Sequence, residues 1–530
     1  MPPRPLLASV LATVCVLQAS AVLAQQANTA ARQQKILEIQ QRIENHDLAG
    51  ANGLLAEARK EYPSDEGFDN LQGIVEAQKG EFPAAEKSFT LAIRRSPKFT
   101  GAYLNLGRLY QENASTDPQA ARKALDVYER VLRYEPDNTE ANYQSAALLL
   151  KQARYQDSLR HASRLPSEQQ STAQVLAIVC ADSAGLGDRR GADEAAARLT
   201  SSADFSEADA QQALPALINA KREDLAISLL ESLQSRKALS PALEHSLGLA
   251  YERAGKLREA RAALEKSVTQ ETLSVPLLLE LARVAHKQQD YQGSLGYLAH
   301  ARDLEPNNAR VHYYFGLVCV DLNLVAEARK SFETAVRLEP ENASYNYAMG
   351  AASAYRHDPT EAVPYFEKYL KLKPKDPRAK LALGNALFRA KDYEAALPWL
   401  REAAGNPETS ANAHYYLGAI ALEELRLDEA HMELTAALRE KSDYADALAE
   451  LGDYYLVRKD YPQAEKQIRE ALRIAPDHFS ANFYLLTLYT RTTDPRREAQ
   501  AKRFEELQKL RDEKTQEFLR IVQVRPFEAP

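Results

Sequence analysis

A period of 34 residues runs through this chain and constrains its fold more tightly than any other feature. Gly248, Gly316, Gly350, Gly384, Gly418 and Gly452 are spaced by one or two such steps, with Ala282 in the gap. Run backward, the register passes through Leu214, Cys180 and Ala146, crosses a five-residue insertion near 113–118, and continues through Gly107, Gly73 and Ile39. Thirteen repeats follow, starting at 32, 66, 100, 139, 173, 207, 241, 275, 309, 343, 377, 411 and 445. Evenly scattered, the 20 glycines would put about 0.5 at these thirteen sites; eight are there, so the period is a design and not an accident.

A second register lies twelve residues further on: Ala51, Ala85, Ala124, Ser158, Ala192, Ala226, Ala260, Ser294, Ala328, Ala362, Ala396, Ala430 and Ala464 are all small. Proline closes seven repeats, at Pro63, Pro97, Pro136, Pro306, Pro340, Pro374 and Pro476. Apolar residues at helical spacing, such as Tyr313, Leu317 and Val320, then Ala328, Phe332 and Ala335, divide each repeat into two helices. The small residues allow the two backbones to approach where the helices cross, and a bulkier side chain there would overpack by about 1–3 kcal/mol. Proline lacks the amide donor a continuing helix needs, so it ends the repeat. Each hairpin leaves an apolar face that only the next hairpin covers; an all-α solenoid is the expected architecture.

The pattern Tyr313-x2-Gly316-x2-Cys319, followed by Ala328-x3-Phe332-x2-Ala335-x4-Pro340, closely resembles the tetratricopeptide repeat, as does Tyr103-x2-Leu106-Gly107-x2-Tyr110. The resemblance covers residues 32–478. It implies a right-handed superhelix whose first helices line a concave groove for peptides or partner proteins, and it names no ligand. Repeats starting at 173 and 207 lack the glycine and the closing proline, and Pro215 falls inside a first helix, so an irregularity is expected there. Pro364 and Pro398 are expected to bend their second helices gently, after N-caps at Asp358 and Asp392. Residues 479–522 read as a degenerate hairpin and a long charged helix with Phe504, Leu507, Leu510, Phe518 and Ile521 on one face, leaving a short tail at 523–530. That helix is expected to cap the array; pairing with a second copy is disfavoured by Arg511 and Lys514, which interrupt its apolar seam.

Arg4, the apolar stretch Leu6 to Ala24 and the small residues at its end read as a secretory signal cut after Ala24, so an extracytoplasmic location, periplasmic or secreted, is expected. An uncleaved anchor is the competing reading, and no later segment is apolar enough to span a bilayer. Cys15 lies in the middle of the apolar core and does not suit lipidation. Lys and Arg number 67 against 74 Asp and Glu, a formal charge of −7, so no global positive field favours nucleic acid.

Catalytic signatures are missing from the pattern. The ten histidines include no pair three or four residues apart, so neither metal nor cofactor is expected. Cys180 and Cys319 stand at core positions of distant repeats and read as buried thiols. Gly185-Leu186-Gly187 with Gly191 falls at a turn between helices, with no strand before it, and does not read as a phosphate loop. Asn113-Ala114-Ser115 and Asn342-Ala343-Ser344 are glycosylation sequons, meaningful only in a host that modifies them. A repeat array of this length leaves only 52 residues after it, too few for a catalytic domain.

The family geometry implies that positions 2, 5, 9, 12 and 13 of each repeat face the groove. From 241 through 411 these supply Arg253, Arg283, Lys287, Arg310, Arg378 and Arg389 against Glu252, Asp321 and Glu423, a face of net +3 on a negative protein. The same positions bring Tyr313, Tyr347, Tyr355 and Tyr415, with His286 and Asn385. Tyrosine and arginine are favoured at binding hot spots, which points to an acidic or aromatic-containing segment. The plainer reading is that these tyrosines pack between neighbouring first helices and the arginines pair with nearby glutamates. No repeat has both Lys at position 5 and Asn at position 9, the pair a chaperone-tail clamp requires. The leading expectation is an exported, non-enzymatic scaffold for a protein or peptide. The alternative is a glycan-related adaptor in polysaccharide or cell-envelope export, from which the chain departs in showing no β-barrel pattern; a hidden enzyme has no positive feature.

Overall fold

The structure is a computed structural model that describes residues 29–113, 119–269, 271–355 and 359–513. Every regular element among them is a helix, and they divide into two compact units meeting in sequence at Lys256 and Leu257. The first unit holds α1 (29–44), α2 (Leu48–Glu61), α3 (Glu66–Gln78), α4 (Phe82–Arg95), α5 (Thr100–Glu112), α6 (Ala120–Leu132) and α7 (Thr139–Lys151). It continues with α8 (Tyr155–Ala162), α9 (Ser167–Gln170), α10 (Ala173–Gly185), α11 (Arg189–Ser201), α12 (Glu207–Asn219), α13 (Glu223–Arg236) and α14 (Pro241–Arg253). The second unit holds α15 (Leu257–Ser267), α16 (Val275–Lys287), α17 (Tyr291–Leu304), α18 (Ala309–Asp321), α19 (Val325–Leu338), α20 (Ala343–Tyr355), α21 (Pro359–Leu372) and α22 (Pro377–Arg389). It ends with α23 (Tyr393–Ala404), α24 (Ser410–Glu423), α25 (Leu427–Glu440), α26 (Ala445–Val457), α27 (Tyr461–Ile474), α28 (Phe479–Arg491) and α29 (Arg497–Glu513). Within each unit, consecutive helices pair into hairpins, and each hairpin packs on the next, as an α-solenoid requires.

The steric logic of the repeat is an exchange between a small residue and a large one sixteen positions later. A Cβ added at Gly316 would lie 2.5 Å from the Phe332 ring, and one at Gly452 would lie 2.5 Å from Ile468 Cγ1. Phe332 and Ile468 are themselves fully enclosed, so neither can retreat. The second small register is equally tight: all thirteen of its members, from Ala51 to Ala464, are at 0 % exposure, which leaves no space for a larger side chain. Where Ala146 and Ala282 replace the glycine, Ser158 and Ser294 face them and donate hydroxyl bonds to their carbonyls, at 2.9 and 2.8 Å.

Turns inside the hairpins share one geometry. Among the described residues twelve, each in a different turn, have positive φ: Gly80, Gly187 and Gly255, and the non-glycines His46, Ala153, Lys221, Gln289, Asn323, Lys391, Leu425, Lys459 and Thr493. At Leu425 the next amide, Arg426 N–H, bonds back to the Ala421 carbonyl at 2.7 Å, and Leu425 N–H bonds to Leu422 at 3.0 Å. This double closure satisfies the last carbonyls of the first helix. In several repeats an aspartate follows at once and caps the second helix, as Asp392 does by accepting from Ala395 N–H at 3.2 Å. Between hairpins, the fourth residue of the first helix ties down the closing proline: the side-chain amides of Asn142, Asn346 and Asn482 donate to the carbonyls of Pro136, Pro340 and Pro476.

Departures from the period have local causes. α12 runs continuously through Pro215, and α21 and α23 continue through Pro364 and Pro398. The irregularity sits two repeats earlier than Pro215 suggests, in the repeat starting at 139, where α8 is cut to eight residues and the four-residue α9 is inserted before α10. Cys180 and Cys319 are buried free thiols, and burial pushes them up to about 12 and about 11, so neither is a poised nucleophile. At the carboxyl end α29 lays Phe504 over Phe479 and Phe483, with ring centroids 4.9 and 5.6 Å apart. The segment read as a secretory signal, Asp358, Lys514, Phe518, Ile521 and the tail lie outside the described residues, as do the side chains of Leu510 and Arg511. Among the described helices none is long and apolar enough to cross a membrane.

Leu425 carries two burdens, a left-handed backbone at φ 57 and a side chain 68 % exposed. A non-glycine residue in that region costs about 1–2 kcal/mol, and glycine returns part of the gain through its freer unfolded state. Leu425→Gly should therefore raise the urea unfolding midpoint of the second unit, by about 0.5–1 kcal/mol in stability. A lowered midpoint would show that the turn is not strained.

Candidate binding groove

In the second unit α22, α24, α26 and α28 pack directly on one another, whereas the second helices between them stand further apart. The first helices therefore form the inner face, where register places the candidate residues. Arg253 belongs to the first unit, where it is exposed at the end of α14. Arg283 is half-buried and Lys287 exposed on α16. His286, on the same turn of α16, bonds Asp321 of α18 at 2.7 Å. Arg310 is half-buried, stands 5.6 Å from the Tyr314 ring centre, and has no carboxylate partner among the described residues.

The tyrosines are built into the wall. Tyr313 meets Tyr345 of the next repeat with centroids 4.9 Å apart, and also the ring of Phe332. Tyr347 lies 4.9 Å from Tyr369 and 5.7 Å from Phe366, while Tyr415 lies 5.3 Å from Tyr444. All three are half-buried, and each is engaged by neighbouring rings at tilted or edge-on angles. The Tyr355 side chain lies outside the described residues.

Arg378 is held by its own helix cap. Its guanidinium makes two bonds to Asp376, at 3.1 and 2.9 Å, and Asp376 also accepts from Arg378 N–H and the Tyr369 hydroxyl. Burial opposes ionisation of Asp376, but these donors outweigh it and hold the carboxyl down to about 2. The pair is thus locally neutral, and Arg378 adds no net charge to the groove. Arg389 is half-buried at the end of α22. Asn385, one turn earlier, is 4 % exposed, and its carbonyl oxygen has no hydrogen-bond partner among the described residues.

Beyond α24 the face changes sign. Glu423 ends α24, and Asp446, Glu450 and Asp453 follow on α26. The Tyr484 hydroxyl of α28 lies 3.2 Å from each Glu450 oxygen, and His478 bonds Asp446 at 3.0 Å. Burial, reinforced by Asp453, pushes Glu450 up to about 8. Asp453 rises to about 6 through burial, with Arg491 opposing and Glu423 adding to the shift. Neither carboxyl forms an ion pair among the described residues. Asp446 and Asp453 occupy the second and ninth positions of the repeat starting at 445, so extending the register by one repeat finds them; Glu450, at the sixth, lies off it. Among the described residues no three His, Cys, Asp or Glu side chains gather as a metal site would need.

A tetratricopeptide repeat profile matches residues 37–99, 245–309, 279–343, 347–413 and 415–479, and a second profile of the same name matches 115–179. A search of curated proteins returns no match. Among solved structures, YrrB, described as a TPR protein with an unusual peptide-binding site, is 24 % identical and covers 35 % of this chain and 95 % of its own, with a TM-score of 0.29. The Cut9–Hcn1 hetero-tetramer of the APC/C is 13 % identical, covering 85 % and 95 %, with a TM-score of 0.37. The C-terminal part of a TPR repeat-containing protein from Cytophaga hutchinsonii is 17 % identical, covering 51 % and 98 %, with a TM-score of 0.35.

The Tyr484 hydroxyl stabilises the ionised form of Glu450. Tyr484→Phe should raise the Glu450 midpoint above about 8, by about one pH unit for one bond to a charged group. Carboxyl NMR titration of selectively labelled protein reads this directly. An unmoved midpoint would mean the hydroxyl does not serve that carboxylate.

Proposed function

Because the chain belongs to the tetratricopeptide repeat family, we propose that it is an exported scaffold that holds an extended segment of a partner protein along the inner face of its second unit. Repeat arrays of this kind are protein-interaction scaffolds, and nearly the whole length here is spent on the array. The observation that carries the finer reading is the reversal of charge along that face. Arg310 stands at one end with no carboxylate partner among the described residues, and Glu450 and Asp453 stand at the other in no ion pair among them, although Arg491 exerts a coulombic pull on Asp453.

A segment with acidic residues over Arg283, Lys287, Arg310 and Arg389 and a basic residue over Glu450 and Asp453 complements both ends. Such complementarity fixes orientation and register more than it adds raw affinity. The ring contacts of Tyr313, Tyr347 and Tyr415 favour this reading over a glycan adaptor, since stacking on sugars needs open ring faces.

Fluorescence anisotropy on a peptide array of varied charge order tests the reading. Peptides with acidic residues at one end and basic at the other should bind best, and their affinity should rise from pH 5.5 to 8.5 as Glu450 and Asp453 ionise. Arg310→Glu, and separately Glu450→Gln with Asp453→Asn, should each weaken binding about tenfold, the scale of one well-placed charged contact. Indifference of binding to both variants would sink the groove assignment.

Export is tested separately. The protein recovered from an extracytoplasmic fraction of its native host should begin at Gln25. Intact Met1 in the cytoplasmic fraction would refute it.

A further inference from the structure

The tenth residue of the first helix packs in the joint between hairpins and is apolar in the regular repeats, as Ala250, Val284, Val318, Ala386 and Ile420, all buried. In α10 this position is Asp182, at 0 % exposure, and neither carboxyl oxygen has a hydrogen-bond partner among the described residues. Five helices pack against α10: α7, α8, α9, α11 and α12. Of their side chains only the Ser158 hydroxyl acts on the Asp182 carboxyl, and that hydroxyl already donates to the Ala146 carbonyl at 2.9 Å. No charged group of these helices acts on the Asp182 carboxyl, and among those they carry His161 of α8 bonds Asn142, Asp209 of α12 bonds Ser206, and Asp193 of α11 pairs with Arg222. No cation compensates a charge on Asp182.

The flanking helices make this the least regular joint in the first unit, since α8 has eight residues where its counterparts have thirteen or fourteen. A buried carboxylate without partners is tolerated only in its neutral form. We propose that Asp182 makes the joint between the α7–α8 and α10–α11 hairpins a pH-sensitive hinge, closed while the carboxyl holds its proton and loosened when it ionises.

The sign follows from linkage. Burial pushes Asp182 up to about 7, while the opened joint returns it to the ordinary carboxylate range near 4. Between those values the closed state holds a proton the open state lacks. The closed joint is therefore most stable below about pH 4 and loses stability as the pH rises, with opening growing by up to tenfold per pH unit until about pH 7 and levelling off above it. A wholly apolar joint has no such dependence.

Hydrogen exchange of the full chain at pH 5 and pH 8, normalised to intrinsic amide rates, tests the hinge. Protection across α8 and α10 should fall more than tenfold between the two, while α3 and α4 keep theirs. Asp182→Asn should remove the fall, and Asp182→Ala, which restores the residue found at Ala250 and Ala386, should do the same if the amide variant folds poorly. Equal protection of α8 and α10 at both pH values in the unmodified chain would overturn the proposal. Persistence of the fall in Asp182→Ala would overturn it too.

Discussion

Each hairpin of this chain depends on backbone being brought close enough for a large side chain of one helix to occupy the place a Cβ would take on the other. Gly316 accepts Phe332 in this way and Gly452 accepts Ile468, and the distances leave no slack. Because both members are fully enclosed, the contact fixes how the two helices cross, and the crossing fixes which faces remain for the next hairpin. The solenoid is this local constraint repeated. Its stability is a sum over neighbours, so a poor joint weakens the hairpins on either side of it and no others.

Such a construction tolerates departures if each is answered within its own repeat. Ala282 in place of glycine is answered by the Ser294 hydroxyl on its carbonyl, which turns a steric contact into a hydrogen bond. Left-handed turns filled by Lys391 or Leu425 in place of glycine are answered by the double closure of the preceding helix. Asp182 is the departure with no answer in its repeat, which is why it stands out among the otherwise interchangeable core positions.

The period was legible because glycine, alanine and proline each serve a need that other residues meet badly: close approach, a crossing without bulk, and a stop. The turns were less legible, since among the described residues only Gly80, Gly187 and Gly255, and more weakly Asn323 and His46, have a preference for the left-handed region, and the other seven positions carry residues with none. Groove chemistry was legible only in part. Register placed Arg378 on the inner face, but its capture by Asp376 depends on a residue two positions upstream, outside the groove set. Tyr313 and Tyr347 showed the same ambiguity, because a tyrosine facing a groove and one wedged between helices share a sequence position. The acidic end lies one repeat beyond the set that carries the net +3, and Glu450, at the sixth position of that repeat, falls off the groove register altogether.

The change of sign along the face has a physical consequence for any occupant. Asp453 raises the proton affinity of Glu450, and burial raises that of both, so ionising the two together is opposed by the protein itself. A cation placed between them relieves burial and repulsion together, which makes its contribution larger than that of a lone surface pair. The basic end differs, because Arg310 is half-exposed and solvated, and a carboxylate arriving there gains less. Under the proposed function the two ends would therefore act unequally, the acidic end holding the partner and the basic end orienting it.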